Sequence, residues 1–219
     1  KAMSAIKKKF TEKFNISSKL FDKKFIEARK IVKSYLEGTA SSHSRLLYIN
    51  KVFEILGLGS QILMTLEFEQ TYWRTFLNNA LLFKGVKELL EDLRLLEIPL
   101  AIVTDLTAQI QYRKMVYFDL DKFFDYVVTS EESGFDKPHF SSFKLALEKL
   151  QPKGDKIWMI GDDPIADIKG SKDSINAVTF QKIHKGAVKG KGENSPDFSF
   201  SNFNDLRLLI AKLKKNEPK

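Results

Sequence analysis

The chain has 219 residues, of which 43% are apolar, which is enough for one large domain or for a core with a small second domain. It contains no cysteine, so disulfides, thiolate metal sites and cysteine nucleophiles are excluded. No run of about 18 apolar residues is present, and residues 1–15 are too charged for a signal peptide. The sequence therefore predicts a cytoplasmic protein without a membrane partner.

The net charge of +8 is concentrated near the start of the chain. Within residues 1–33, eleven Lys or Arg residues stand against three Asp or Glu residues, an excess as large as that of the whole chain. Such a segment is compatible with a surface that binds a phosphate backbone. A solvated helix surface is favoured instead, because Phe and Ile lie between the lysines at core spacing. A second basic stretch, residues 182–191, predicts a mobile surface loop.

The first third of the chain has the apolar spacing of helices. Three stripes are formed by Met3, Ile6, Phe10 and Phe14; by Phe25, Ala28, Val32 and Leu36; and by Leu46, Ile49, Phe53 and Leu56. Gly38 and Gly57 follow the second and third stripes, as glycines follow helix ends. A fourth helix is predicted over about residues 60–76. Residues 1–78 are thus predicted to form a small helical unit.

After Asn78 the pattern changes to short apolar runs that alternate with helices. The runs, which predict strands, are residues 98–103, 126–128, 157–160, 177–180 and 198–200. Amphipathic helices are predicted near residues 86–96, 108–118, 140–150, after Pro164 and near 206–213. This alternation indicates an α/β fold with a parallel sheet and helices on both faces. Residues that follow the runs are functional candidates, because ligands of such folds lie at the carboxyl ends of the strands.

Three carboxylates follow the third run, those of Asp162, Asp163 and Asp167. Carboxylates this close repel one another unless a cation lies among them, and oxygen ligands suit Mg²⁺. The alternative is a capped helix with an acidic first turn, which the helix dipole favours equally well. The residues alone leave the choice between a metal site and a helix cap open.

Two further candidates lie between the first and third runs. Thr104 offers a hydroxyl and a backbone N–H at a strand end, which can hold a phosphate, although Thr is also a common helix cap. Lys137 precedes Pro138 at the start of a predicted helix. Asp105 is not a nucleophile of the two-Asp kind, because no second Asp follows two residues later. Both Thr104 and Lys137 are expected outside the core, so their replacement is expected to leave the fold intact.

Together these sites resemble the haloacid-dehalogenase superfamily. Its second motif looks like residues 101–104, its third like Lys137-Pro138, and its fourth like Gly161-Asp162-Asp163 with Asp167. The resemblance covers residues 79–180, and residues 83–90 look like the helix before the second motif. It implies a Rossmann-like core from residue 79 to 219 and a helical cap formed by residues 1–78.

The resemblance also implies roles for the site residues. Thr104 and Asp105 would contact the substrate, Lys137 would offset the charge of the phosphoryl group, and Asp162 would bind Mg²⁺. Asp163 and Asp167 would be a further ligand or support the first. The implied reaction is hydrolysis of a small phosphorylated metabolite through an aspartyl-phosphate intermediate.

The family's first motif, Asp-x-Asp-x-Thr at the end of an apolar run, does not occur in the sequence. In such proteins this motif ends the central strand, whose loss would leave the neighbouring strands unpaired. The nucleophile Asp is therefore expected about ten residues upstream of Lys1, and the chain as printed is expected to be inactive.

Residues 38–45 are the most polar part of the predicted cap, with Ser44 a candidate helix cap. His43 and Arg45 either contact the substrate or belong to a capped surface turn. For the whole protein the sequence leaves three alternatives to a phosphatase. They are a dehalogenase, disfavoured by the acidic cluster; a non-catalytic phosphate- or partner-binding relative; and a nucleic-acid-binding protein, disfavoured because the aromatic residues lie on core stripes.

Overall fold

The computed structural model describes residues 1–154 and 156–215. The chain divides into two compact units, unit 1 spanning Lys1–Leu81 and unit 2 spanning Leu82–Lys219. In the described residues no helix is both long and apolar enough to cross a membrane. The division falls three residues beyond the boundary that the sequence predicts.

Unit 1 consists of helices, and no strand occurs in residues 1–81, all of which are described. The helices are α1 Ala2–Phe14, α2 Ser18–Tyr35, α3 Arg45–Ile55 and α4 Ile62–Leu77, with a 3₁₀ turn at Ala40–His43. Ser17 and Ser44 cap α2 and α3, each accepting a hydrogen bond from a backbone N–H of the first turn. Ser44 is thus confirmed as a helix cap, which satisfies an otherwise unpaired donor.

Phe10 lies at the centre of the core of unit 1. Its ring centroid is 4.7 Å from that of Phe21 and 4.8 Å from those of Phe53 and Phe68. All four side chains are buried, and such ring pairs add about 0.5–1.5 kcal/mol each beyond the area they bury. On the polar side of α1, Lys9 and Lys13 pair with Glu67 of α4. Part of the N-terminal basic charge therefore joins the helices of this unit.

Unit 2 alternates strands and helices. The strands are β1 Ala101–Thr104, β2 Tyr126–Thr129, β3 Trp158–Gly161, β4 Val178–Lys182 and β5 Phe198–Phe200. The helices are α5 Val86–Leu95, α6 Ala108–Tyr117, α7 Ser130–Ser133, α8 Phe140–Leu150, α9 Gly170–Ile175 and α10 Phe203–Lys215. A π-helical turn, Pro164–Lys169, leads into α9, and 3₁₀ turns occur at Asp121–Phe123 and Gly192–Asn194.

All strand pairs are parallel, which confirms the predicted α/β fold. β1 pairs with β2, and β3 pairs with β4, which in turn pairs with β5. Thr104 pairs with Thr129 and Gly161 with Gln181, so these residues lie at the carboxyl ends of their strands. The candidate site residues follow those ends.

Apolar side chains of two helices cover the strands β3–β5. Leu89 and Leu93 of α5 form a buried cluster with Phe180, Phe200, Leu206 and Ile210. Ile98 and Leu100 pack against this cluster although they precede β1. The apolar run over residues 98–103 therefore reflects burial as well as strand pairing, and β1 begins later than the run predicts.

Candidate active site

Lys137 lies at the centre of a hydrogen-bonded group that joins the ends of β1 and β3. Its Nζ donates to Oδ1 of Asp167 at 2.6 Å and to the carbonyl of Val103 at 3.1 Å, and its backbone N–H donates to Oδ1 of Asp105 at 2.9 Å. The side chain is buried. Burial alone would lower the pKa of Lys137, but the carboxylates of Asp167 and Asp105 raise it above its ordinary value.

The burial of Lys137 corrects the expectation that this side chain lies outside the core. The expectation came from its place before a helix start, which does not show how deeply a side chain is packed. Because Lys137 forms a buried ion pair, its replacement is expected to weaken the fold as well as the site.

Asp167 fixes the turn that follows β3. Its Oδ2 accepts hydrogen bonds from the backbone N–H groups of Asp162 at 2.9 Å and Asp163 at 3.0 Å. A Cβ on Gly161 would lie 2.3 Å from this oxygen. Glycine is thus required at position 161 for the close approach of Asp167.

Asp163 caps the turn that begins at Pro164. Its Oδ1 accepts hydrogen bonds from the N–H groups of Ile165 and Ala166, both at 2.8 Å. The helix-cap alternative from the sequence is therefore correct for Asp163. It does not account for Asp162, whose side chain is 58% exposed and whose Oδ2 lies 3.0 Å from Nε2 of His184.

These contacts decide how the acidic residues fit a Mg²⁺ ion. No group of three or more His, Asp or Glu side chains with the arrangement of a metal site occurs in residues 1–154 and 156–215. Mg²⁺, however, usually takes only one or two protein carboxylates, with phosphate and water as further ligands. The exposed carboxylate of Asp162 fits that need, while Asp163 and Asp167 are engaged in the turn that orients it.

Thr104 ends β1, and its Oγ1 lies 3.5 Å from Oε1 of Gln111, a long contact that leaves the hydroxyl available to another partner. Asp105 follows it and is held against the backbone of Lys137. Burial raises the pKa of the Asp105 carboxyl, although the charge and the backbone N–H of Lys137 act in the opposite direction. The structure thus links Asp105, Lys137, Asp167 and Asp162 by hydrogen bonds, with Thr104 adjoining Asp105.

Two residues near the carboxyl end of β4, Gln181 and His184, were not singled out from the sequence. Gln181, at the end of β4, is fully buried and donates to the carbonyl of Asp162 at 3.0 Å. His184 contacts the Asp162 carboxylate, and this hydrogen bond and one to the carbonyl of Lys185 raise the pKa of His184. The position of Gln181 directly after the apolar run over residues 177–180 was the available signal, because an amide buried at a strand end needs partners.

His43 and Arg45 lie in unit 1. Nη1 of Arg45 donates to the carbonyl of His43 at 2.7 Å. The guanidinium lies 5.5 Å from the ring centroids of Tyr48 and Tyr72 and 5.9 Å from that of Trp73. These contacts hold Arg45 between α3 and α4, and contact with a substrate stays a prediction for both residues.

A cavity of about 590 Å³ lies between β1 and β3 and is called here the β1–β3 cavity. Its walls include Ala101, Ile102 and Val103 of β1 and Trp158, Met159 and Ile160 of β3, with apolar side chains of α5, α8 and α10. Among the described residues, β1 pairs only with β2 and β3 only with β4. Each strand therefore has one edge without a strand partner in the described part of the chain.

The sequence is similar to a family model and to several named proteins. A model described as haloacid dehalogenase-like hydrolase matches residues 47–179. A ribulose-1,5-bisphosphate 5-phosphatase of Halopiger xanaduensis is 33% identical over 193 residues, which cover 84% of this chain and 79% of the relative. A glyceraldehyde 3-phosphate phosphatase of Methanocaldococcus jannaschii is 31% identical over 132 residues, covering 60% of this chain and 57% of the relative.

Solved structures with similar folds include a phosphatase and a dehalogenase. A phosphatase of Thermococcus onnurineus has a TM-score of 0.69 at 20% identity and covers 95% of this chain and 87% of its own. A 2-haloacid dehalogenase of Pseudomonas syringae has a TM-score of 0.74 at 17% identity and covers 97% of this chain and 92% of its own. At these identities the likeness concerns the fold.

Proposed function

The chain belongs to the haloacid dehalogenase-like hydrolases, and on this premise we propose that it is a Mg²⁺-dependent phosphatase of small phosphorylated metabolites. The observation that carries the proposal is the buried pair of Lys137 and Asp167 beside the exposed carboxylate of Asp162. In this arrangement a fixed cation and a candidate metal ligand lie near the carboxyl ends of β1 and β3, which supports the proposal. The names of the relatives, which include phosphatases acting on sugar phosphates, support the same reaction class.

Lys137 is proposed to bind the phosphoryl group. An ammonium group has three donors, and two of those on Lys137 are used by Asp167 and the carbonyl of Val103. The third is left for a phosphoryl oxygen, whose negative charge the ammonium offsets. Because both protein contacts hold Nζ in place, its positive charge is positioned before the substrate binds. Such positioned charge is the main source of catalysis in phosphoryl transfer.

Thr104 and Asp162 complete the proposed site. Thr104 would donate its hydroxyl to a second phosphoryl oxygen. Asp162 would hold the Mg²⁺ ion, with Asp163 and Asp167 keeping the turn in place. When bound, the ion supplies positive charge that stabilises the phosphoryl group in the transition state.

The nucleophile is proposed to be an Asp carried by a further strand in the β1–β3 cavity. The cavity of about 590 Å³ leaves apolar side chains of β1 and β3 without a strand packed against them, and covering such side chains is favourable. A parallel strand would fill the cavity, pair with the free edges of β1 and β3, and end beside Thr104 and Asp162. Its last residue would then reach the phosphoryl group held there.

The test is phosphate release by a chain extended before Lys1 with an apolar strand, Asp-x-Asp-x-Thr and about ten linking residues. The proposal expects Mg²⁺-dependent hydrolysis of a small phosphate monoester, lost in Asp162→Asn. If the extended chain binds phosphate and Mg²⁺ but releases no product, the phosphatase proposal is wrong. A non-catalytic phosphate-binding relative would then account for the site.

A further inference from the structure

A loop rich in lysine adjoins the proposed site. It comprises residues 183–191, between β4 and the 3₁₀ turn Gly192–Asn194, and is called here the lysine loop. The exposed lysines of the loop are Lys185, Lys189 and Lys191, and no Asp or Glu lies in it. The sequence predicts a mobile surface loop here, so the contacts that hold it matter for its function.

Gln181 ties the lysine loop to the backbone of Asp162. Its side-chain N–H groups donate to the carbonyls of Asp162 at 3.0 Å and Val188 at 2.7 Å. Its Oε1 accepts from the N–H of Gly190 at 3.0 Å. All three bonds come from one fully buried side chain, so the loop and the proposed metal ligand share an anchor.

Two more contacts place the lysine loop against the turn that follows β3. His184 is the second residue of the loop, and its Nε2 lies 3.0 Å from Oδ2 of Asp162. At the other end, a Cβ on Gly190 would lie 2.0 Å from the carbonyl oxygen of Asn194 and 3.2 Å from Cβ of Pro164. The backbone at Gly190 is therefore packed against the turn that follows Asp163, and Lys189 flanks that point.

The three lysines of the loop differ from Lys137 and Lys172 of the same unit. Lys137 is matched by Asp167, and Lys172 is matched by Asp197. Within the described ranges, Lys185, Lys189 and Lys191 pair with no carboxylate. Three unmatched positive charges thus lie on a loop anchored to the residue that would hold the metal.

We propose that the lysine loop binds a second anionic group of the substrate. The substrate class is then a small phosphate ester that carries another phosphate or a carboxylate a few bonds from the phosphate that is hydrolysed. The inference rests on the proposed phosphatase site, because the first phosphate is held by Thr104 and Lys137. The loop adds selectivity: its charges attract the second anion, while a simple monoester gains nothing from them.

The experiment compares two synthetic probes, propyl phosphate and propane-1,3-diyl bisphosphate. Their binding to the chain is measured by calorimetry at low ionic strength and a fixed, saturating Mg²⁺ concentration. The loop variant is K185Q/K189Q/K191Q. The matched control is K30Q/K153Q/K212Q, which removes the same charge from exposed lysines outside the loop.

We expect the unchanged chain and the control to bind the bisphosphate about tenfold more tightly than the monophosphate. A preference of this size is what a few exposed ion pairs can supply. The loop variant should bind both probes with similar affinity and should keep its affinity for propyl phosphate. Equal binding of the two probes by the unchanged chain, or a preference that survives in the loop variant, overturns the proposal. Failure of both probes to bind the unchanged chain contradicts the phosphatase site itself, and the loop proposal with it.

Discussion

Nζ of Lys137 lies 2.6 Å from Oδ1 of Asp167, and each side chain is less than a tenth exposed. The same Asp167 holds the backbone of Asp162 and Asp163 through its other oxygen. One buried carboxylate therefore positions both the proposed phosphate-binding cation and the proposed metal ligand. Stability and activity are expected to be coupled at this pair.

Lys137→Met should lower the free energy of unfolding by about 3 kcal/mol, because it leaves the Asp167 carboxylate buried without its partner. Denaturant unfolding of the chain measures this loss. K137M/D167N should recover part of it, since that variant also removes the buried charge of Asp167, while Asp105 keeps its hydrogen bond from the backbone N–H of residue 137. An unchanged denaturation midpoint in K137M would show that the pair does not stabilise the fold.

Thr104→Ala should slow phosphate release from the extended chain by roughly 100-fold, as loss of one donor to a developing charge does in other enzymes. The stability should change little, because the Thr104 hydroxyl has only a long contact with Gln111. Thr104→Ser keeps the hydroxyl and serves as the control, with turnover near that of the parent. Full turnover in T104A would remove Thr104 from the site.

Asp162→Asn should weaken Mg²⁺ binding at least tenfold, because it removes the carboxylate proposed to hold the ion. Asp163 is also exposed, but its Oδ1 accepts hydrogen bonds from the backbone N–H groups of Ile165 and Ala166. Calorimetric titration with Mg²⁺ in the presence of inorganic phosphate measures the affinity. Asp173→Asn is the matched control, since it removes the same charge from an exposed residue of α9. Equal affinities of D162N and D173N would refute the metal assignment.

Glu67 gives a prediction for the pH dependence of unit 1. Hydrogen bonds from Lys13 and Lys9 hold the pKa of Glu67 at about 2, below its ordinary 4.5. The stabilisation is therefore complete above about pH 4.5 and is lost as the pH falls through 2. The unfolding free energies of the parent and Glu67→Gln should differ above pH 5 and converge towards pH 2. A difference that does not change with pH would contradict the lowered pKa.

Elements with a strong local pattern were predicted closely from the sequence. The stripe through Phe10 is the centre of the unit 1 core, and α8 spans the predicted residues 140–150. Ends of strands were predicted less well, since apolar residues such as Ile98 and Leu100 pack against helices without pairing as strand residues. Burial produces an apolar run, whereas strand pairing depends on a distant segment of the chain.

The candidate site was likewise predicted only as far as local patterns reach. Motif spacing predicted which segments meet, including those of Thr104, Lys137 and Asp162. It did not predict that Lys137 is buried or that Gln181 anchors the lysine loop, because each depends on contacts between segments far apart in sequence. Side-chain burial at element ends follows from the packing of the whole unit and has no local signature.

The most direct test of the account compares two extended chains that differ only in the first Asp of the added Asp-x-Asp-x-Thr, kept in one and replaced by Asn in the other. Mg²⁺-dependent release of phosphate from a small monoester is measured for both and for the chain as printed. We expect turnover only with the Asp form, at least 1,000-fold above the others, on the order that loss of a nucleophile costs. Equal turnover by the chain as printed would contradict it, because a nucleophile within residues 1–219 would then perform the reaction.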